Sequence, residues 1–273
     1  MTRPTIAVHD LGGTGPTKLY AHAAGFHARV WAPIARRRPD SHNIAYDARG
    51  HGDTPVGDDW PDGVHWNEYG DDAGSVAEGL AAEGPIVGVG HSMGGAALLL
   101  AASARPELFG GLIVYEPIVF PPSSLPGRTF DIPASGARRR RTTFPSYDAA
   151  IDNFASKPPL DVIAREALEE YVGGGFRLGE DGQVHIKCAP EHEARTYEAS
   201  GGHDTWDRLA DVRVPVWVIS GHPEEMRPSE EAQAIAELIP VSTYVQLDHL
   251  GHFGPMEAPD EIAELIDRAA ASF

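Results

Sequence analysis

The chain has 273 residues, with 22 lysines and arginines against 40 aspartates and glutamates, for a formal net charge of −18. That length can bury a full core and suits one large α/β domain or a domain with an insertion, while the charge disfavours nucleic acid and anionic membrane surfaces and leaves small neutral or apolar molecules as the expected partners. The one cysteine, Cys188, excludes an intrachain disulfide and points to a reducing compartment, the cytoplasm.

Residues 1–20 hold Asp10 and no long apolar stretch, so neither a signal peptide nor a membrane span is expected there. Residues 5–9 form a short β-prone run broken by Gly12-Gly13-Thr14-Gly15-Pro16. This cluster lacks the Lys-Ser/Thr of a phosphate loop and opens no helix, so it reads as a turn between strands. Residues 18–21 give a second strand that ends at His22-Ala23-Ala24-Gly25-Phe26, and Val30, Trp31 and Ile34 share one helical face across 27–38. A third strand, 43–46, closes on Asp47-Ala48-Arg49-Gly50-His51-Gly52-Asp53-Thr54, and 68–83 reads as a helix.

The pivot of the chain is Gly90-His91-Ser92-Met93-Gly94-Gly95, which follows the apolar run 85–89 and leads into the small, apolar segment 96–104. A strand that ends on G-x-S-x-G and runs directly into a helix describes a sharp turn with Ser92 at its apex. The glycines are required sterically, because side chains at Gly90 or Gly94 would collide with neighbouring backbone, and Gly95 lets the helix approach the strand. Ser92 then presents its hydroxyl at the carboxyl end of a sheet above the amino end of a helix, where a nucleophile and a developing oxyanion are best stabilised. Residues 111–115 are the next strand, ending at Glu116. Strands alternating with helices predict a mostly parallel sheet with helices on both faces, and ligands bind beyond the carboxyl ends of such strands. His22 to Phe26, Ser92 and Glu116 all fall at those ends.

The pattern changes after Pro117. Residues 118–208 carry proline clusters, the run Arg138-Arg139-Arg140-Arg141 and weak helical periodicity at 147–155 and 162–171, too long for a loop. We read 118–208 as a largely helical insertion into a core formed by 1–117 and 209–273. Its arginine run reads as a solvated helix end. Phe144, Tyr147, Phe154, Tyr171 and Phe176 read as the insertion's own core before they read as pocket lining. The core resumes with a strand at 214–220, a helix at 229–239, a strand at 243–247, the loop Gly251-His252-Phe253, and a helix at 260–271 with Ile262, Leu265 and Ile266 inward.

A histidine-led loop nine residues before Trp31, D-x-R-G-H-G at 47–52, and G-H-S-M-G-G about forty residues later resemble, in this order, the motifs of the α/β-hydrolase superfamily. The resemblance covers nearly the whole chain outside the insertion, and it implies that 118–208 is a cap placed after the sixth strand. A serine hydroxyl is a weak nucleophile without a base in reach. The resemblance assigns that base to His252, in G-H-F-G-P-M-E-A-P after the last strand, with His249 as the rival. It assigns the oxyanion hole to the backbone N–H groups of Met93 and Ala24, although Ala23 stands where glycine is usual. His91 is expected to fill the underside of the elbow, and His22 and His51 to hold loops. The superfamily's usual acid is an aspartate shortly after the seventh strand, where this chain has Glu224 and Glu225. A second arrangement, seen in haloalkane dehalogenases, resembles Tyr115-Glu116-Pro117. We take Glu116 first, Glu224 second and Glu225 third.

The resulting expectation is a serine hydrolase that cleaves an ester, thioester, lactone or activated carbon–carbon bond of a small apolar substrate through an acyl-enzyme on Ser92. Serine at the elbow argues against the aspartate-nucleophile chemistry of haloalkane dehalogenases and epoxide hydrolases. The competing expectations are a non-hydrolytic enzyme on the same fold, such as a perhydrolase, lyase or cyclase, and a silent small-ligand-binding protein. No cofactor is implied: no G-x-G-x-x-G nucleotide fingerprint is present, and no His or carboxylate pair stands at metal-ligand spacing with a third ligand nearby.

Overall fold

The computed structural model describes residues 4–57, 64–126, 130–223 and 228–273. Its strands are β1 (Val8–Asp10), β2 (Thr17–Ala21), β3 (His42–Tyr46), β4 (Ile86–His91), β5 (Phe109–Tyr115), β6 (Thr143–Phe144), β7 (Phe176–Leu178), β8 (Val184–Ile186), β9 (Val216–Ser220) and β10 (Ser242–Gln246). Seven of them form one sheet in the order β1-β3-β2-β4-β5-β9-β10, with β1 antiparallel to β3 and every other pairing parallel.

Successive side chains of a strand point to opposite faces, and this sheet buries both. Leu19, Ile44, Leu112, Val114, Val216 and Val218 face one hydrophobic cluster, and Tyr20, Ala45, Ile113, Tyr115 and Ile219 face the other. The core helices are α1 (Ala32–Arg36), α2 (Trp66–Leu80) and α3 (Met93–Ala104), followed after the insertion by α9 (Pro228–Leu238), α10 (Gly254–Glu257) and α11 (Pro259–Ala270). The first cluster is covered by α2, α3 and α9, and α1 and α11 lie on the second. From Met93 to Ala102 every residue of α3 is buried, which explains why the sequence of this helix is apolar all round instead of striped.

Two expected elements are modified. The helix anticipated over 27–38 is a 3₁₀ turn at Ala28–Trp31 followed by the short α1. Pro33 has no N–H to offer and its ring excludes a continuous α-helix through that point, so the helix restarts around it. The strand before the insertion, counted sixth by resemblance, is the fifth strand of this sheet in chain order.

Between Pro117 and Arg208 lie α4 (Asp131–Arg138), α5 (Tyr147–Ala155), α6 (Arg165–Gly175), α7 (Pro190–Glu198) and α8 (Thr205–Arg208). The segment also contains a three-stranded antiparallel sheet, β6-β8-β7, that the helical reading did not include. Its signal was in the sequence: Asp181-Gly182, with Gly182 at φ 74°, turns between Phe176-Arg177-Leu178 and the alternating Val184-His185-Ile186. Phe144, Phe154, Tyr171 and Phe176 pack ring against ring at centroid distances of 5.4 to 6.0 Å, while Tyr147 stays exposed. The segment is tied to the core on two sides. Tyr171 O bonds the His27 ring at 2.9 Å and Glu170 pairs with Arg29 and Arg36, while Trp66 Nε1–H donates to Thr196 O at 2.9 Å.

Candidate active site

The turn between β4 and α3 holds Ser92 at φ 56° and ψ −116°, a conformation costly for any side-chain-bearing residue. Neighbouring glycines make it possible. A Cβ on Gly94 would lie 2.3 Å from Ala21 O, and one on Gly90 would lie 2.7 Å from Gly95 Cα. The serine backbone is pinned on both sides, its N–H donating to Tyr115 O (2.9 Å) and its carbonyl accepting from Ile118 N–H (3.2 Å).

Glu116 follows β5 and is also at positive φ, 41°. Its N–H donates to Ile219 O, which continues the β5–β9 pairing by one residue and turns the side chain inward. The carboxylate is 1% exposed. Its Oε1 accepts from Gly221 N–H at 2.8 Å, and its Oε2 lies 2.6 Å from His252 Nδ1. On the other side of that ring, His252 Nε2 is 3.2 Å from Ser92 Oγ. Because a carboxylate only accepts, the ring proton resides on Nδ1 and leaves Nε2 with a lone pair directed at the serine hydroxyl.

The loop that carries His252 is fixed by Tyr115 and Glu257, to which the sequence analysis gave no role, and by His91, which it placed under the elbow. Tyr115 OH donates to Gly251 O at 2.7 Å, and Glu257 Oε2 accepts from Gly251 N–H at 3.1 Å. His91 Nε2–H donates to His252 O at 2.7 Å, with the two rings 4.9 Å apart. Burial and the adjacent His252 hold His91 well below its usual pKa, so it remains the neutral donor under the loop. His249, the rival base, is exposed and pairs with Glu261 at 2.7 Å, away from Ser92. Glu224 and Glu225 lie outside the described residues.

Met93 opens α3, whose amino end carries the positive pole of the helix dipole. The loop bearing Ala24 is organised by His22, which donates from Nδ1 to Ala23 O (2.7 Å) and accepts at Nε2 from Ala48 N–H (2.9 Å). These two bonds require the neutral ring, and burial depresses its pKa accordingly. They also orient the Ala23–Ala24 peptide, the unit that contains the Ala24 N–H. His51 bonds Arg49 O at 3.0 Å and packs against the His22 ring. Beside the His252 ring, which lies 5.6 Å from Phe253, the packing is aromatic, with Phe26 5.7 Å from Phe253 and 5.1 Å from Tyr171.

The arginine run divides. Arg138 is exposed and pairs with Glu191 and Glu198, as a solvated helix end would. Arg140, by contrast, is turned inward and pairs at 2.8 Å with Glu193, whose side chain is 1% exposed. The sequence offered no periodicity to separate these neighbours, because Arg138 is the last residue of α4 and Arg140 lies beyond its end, off the helix direction.

His9, Asp47 and Asp53 bring ligand-type atoms within 4.8 Å of one another. Those atoms already have protein partners. Asp47 accepts from His9 (2.9 Å), Ala28 N–H (2.7 Å) and Asp53 N–H (2.8 Å), and Lys187 Nζ lies 2.7 Å from Asp53. A cation there would have to displace an ammonium group, so the cluster reads as a loop clasp.

A family model described as alpha/beta hydrolase family matches residues 19–265. Lipase LipV of Mycobacterium tuberculosis is 32% identical over 115 residues, which is 42% of this chain and 42% of that protein. Protein phosphatase methylesterase 1 of Homo sapiens is 33% identical over 115 residues, 40% of this chain and 29% of that protein. These matches therefore span well under half the length of either relative. Among solved structures, E-2-(acetamidomethylene)succinate hydrolase superposes with a TM-score of 0.83 at 24% identity, covering 98% of this chain and 96% of that one. A thermophilic esterase from Thermogutta terrifontis superposes with a TM-score of 0.71 at 23% identity over 98% and 94% of the two chains. At such identities the superpositions establish the fold.

Proposed function

Because the chain belongs to the alpha/beta hydrolase family, we propose that it is a serine hydrolase of small, largely apolar substrates, with Ser92 as nucleophile, His252 as base and Glu116 as acid. One observation carries this reading: three residues from separate strand ends meet in a single relay, Ser92 Oγ to His252 Nε2 at 3.2 Å and His252 Nδ1 to Glu116 Oε2 at 2.6 Å. His252 takes the serine proton as Oγ attacks the substrate carbonyl. Glu116 holds the ring in the required tautomer and offsets the charge of the imidazolium. The tetrahedral oxyanion is held by the N–H groups of Met93 and Ala24, and collapse of that intermediate expels the leaving group, protonated by His252. Water activated by the same histidine then releases the acid and restores Ser92.

The inserted segment 118–208 acts as a cap in this scheme, and Phe26, Phe253 and Tyr171 supply an aromatic wall beside the histidine. Lipases and methylesterases among the relatives act on ester bonds, and an ester or thioester is the bond class we propose here. Among the described residues no helix is long and apolar enough to cross a membrane; with Cys188 as the only thiol, we place the protein in the cytoplasm.

Intact mass after brief exposure to a fluorophosphonate, alongside turnover of p-nitrophenyl esters of short and medium chain, tests the proposal. The expected result is a single adduct on Ser92, abolished in Ser92→Ala together with ester turnover while the fold is retained. Labelling without turnover would move the substrate class away from simple esters. An unlabelled wild-type protein would overturn the serine reading and favour a binding protein.

A further inference from the structure

Beside the loop expected to hold the oxyanion, the inserted segment places a buried carboxylate. Glu193 on α7 lies against Gly25, the residue after Ala24, so closely that a Cβ on Gly25 would be 2.4 Å from Glu193 Oε1. Gly25 has φ 77°. Tyr197, one turn later on the same helix, brings its hydroxyl 3.4 Å from Ala24 O and 3.5 Å from Glu193 Oε1. The carboxylate is thus part of what ties α7 to this loop. Yet a bare negative charge beside the loop whose N–H is expected to hold the oxyanion would raise the barrier to forming that oxyanion.

Arg140 answers that conflict. Its Nη2 donates to Glu193 Oε1 at 2.8 Å and its Nη1 to Tyr171 OH at 3.1 Å. Glu193 Oε2 is buried with no partner among the described residues, so Arg140 is the charge that balances this carboxylate. The other titratable groups facing Glu193 are Tyr171, Cys188 and Tyr197. Burial raises all three above their ordinary range, Tyr171 to about 12, so they stay neutral through the working pH range.

We propose that Arg140 is a positioning and charge-compensating residue for the reaction: it allows Glu193 and Tyr197 of the inserted segment to brace the Ala24–Gly25 loop without opposing the oxyanion formed there. The proposal rests on the serine-hydrolase reading above. It predicts that an α7 seated on the core does more than cover the site, since the brace and its compensating charge both come from residues 118–208.

The test uses the second-order rate of fluorophosphonate labelling, in which Oγ attacks phosphorus, fluoride leaves and the phosphoryl oxygen occupies the oxyanion position. R140Q should label about tenfold or more slowly than wild type near neutral pH. The ratio of its rate to the wild-type rate should rise as the pH falls, because Glu193, already biased by burial toward the protonated form, takes up a proton once its partner is gone. The double variant R140Q/E193Q should recover most of the loss, and R140K, which keeps the charge, should stay within about threefold of wild type. A merely structural role would lower thermal stability in R140Q without the pH-dependent ratio and without recovery in the double variant, and that pattern overturns the proposal. So does an R140Q rate within twofold of wild type. Ser92→Ala separates the two readings: if it still labels, the serine assignment itself fails, whereas loss of labelling there leaves the Arg140 arms as a test of the pair alone.

Discussion

Ser92 and Glu116 are the two non-glycine residues held at positive φ among the described residues, at 56° and 41°. Each such conformation costs on the order of 1 to 3 kcal/mol and persists only where its surroundings enforce it. Here strand pairing does so, through Ser92 N–H on Tyr115 O and Glu116 N–H on Ile219 O. The strain aims both side chains at one histidine. Glu116→Gln keeps an acceptor for Gly221 N–H and removes the charge that stabilises the imidazolium, so we expect kcat to fall by about 10² to 10⁴ with little change in melting temperature. Glu224→Gln should leave kcat within a few-fold of wild type. Steady-state kinetics on one ester decide between them, and a large loss in Glu224→Gln with a mild one in Glu116→Gln would reverse the assignment. His249→Ala supplies the matching control for the base, since its partner is Glu261.

At the scale of elements, α3 has the heaviest structural duty. It is the helix whose amino end follows Ser92, and it is packed on all sides from Met93 to Ala102, with Leu98 and Leu99 fully buried and Leu100 seated against Gly70 of α2. Leu98→Ala should destabilise the protein by about 3 kcal/mol, the usual cost of emptying a buried leucine site that cannot collapse, measurable as a lower urea midpoint at unchanged slope. A loss under about 1 kcal/mol would mean that α3 repacks, against the close approach of α2. Residues 118–208 are joined to the core by many bonds spread along the segment, among them those at His27, Arg29, Arg36, Arg37, Arg49, Asp53, Trp66, Tyr69 and Met256.

For the molecule as a whole, the buried histidines set the response to acid. Burial lowers the pKa of His27, His192 and His203 to about 4 and depresses those of His22, His51 and His91. In the unfolded chain each titrates near its ordinary value, about 6.5. Below that value the unfolded state therefore binds more protons than the folded one, and stability falls with pH at roughly 1.4 kcal/mol per unit for each such histidine. His9, raised by Asp47, acts in the opposite sense, but it is one group against six. The urea midpoint should accordingly drop steeply between about pH 6.5 and pH 4, and a flat midpoint across that range would show that these rings are hydrated in solution. The legible parts of this protein were those dictated by local pattern. The alternation of strands and helices, the glycines that permit the elbow and the placing of Ser92 at its apex follow from short-range sterics and spacing, so the sequence alone determined the sheet and the elbow, whereas His252 was pointed to by the resemblance of its loop to the superfamily's motif. The ranking of Glu116 ahead of Glu224 and Glu225 rested on resemblance; that the Glu116 carboxylate reaches the His252 ring is set by the pairing of β5 with β9, strands distant in sequence, while Glu224 and Glu225 lie outside the described residues. The inward turn of Arg140 within a run of four arginines was decided likewise by tertiary packing, because burial of one charge depends on the partner waiting for it on another helix.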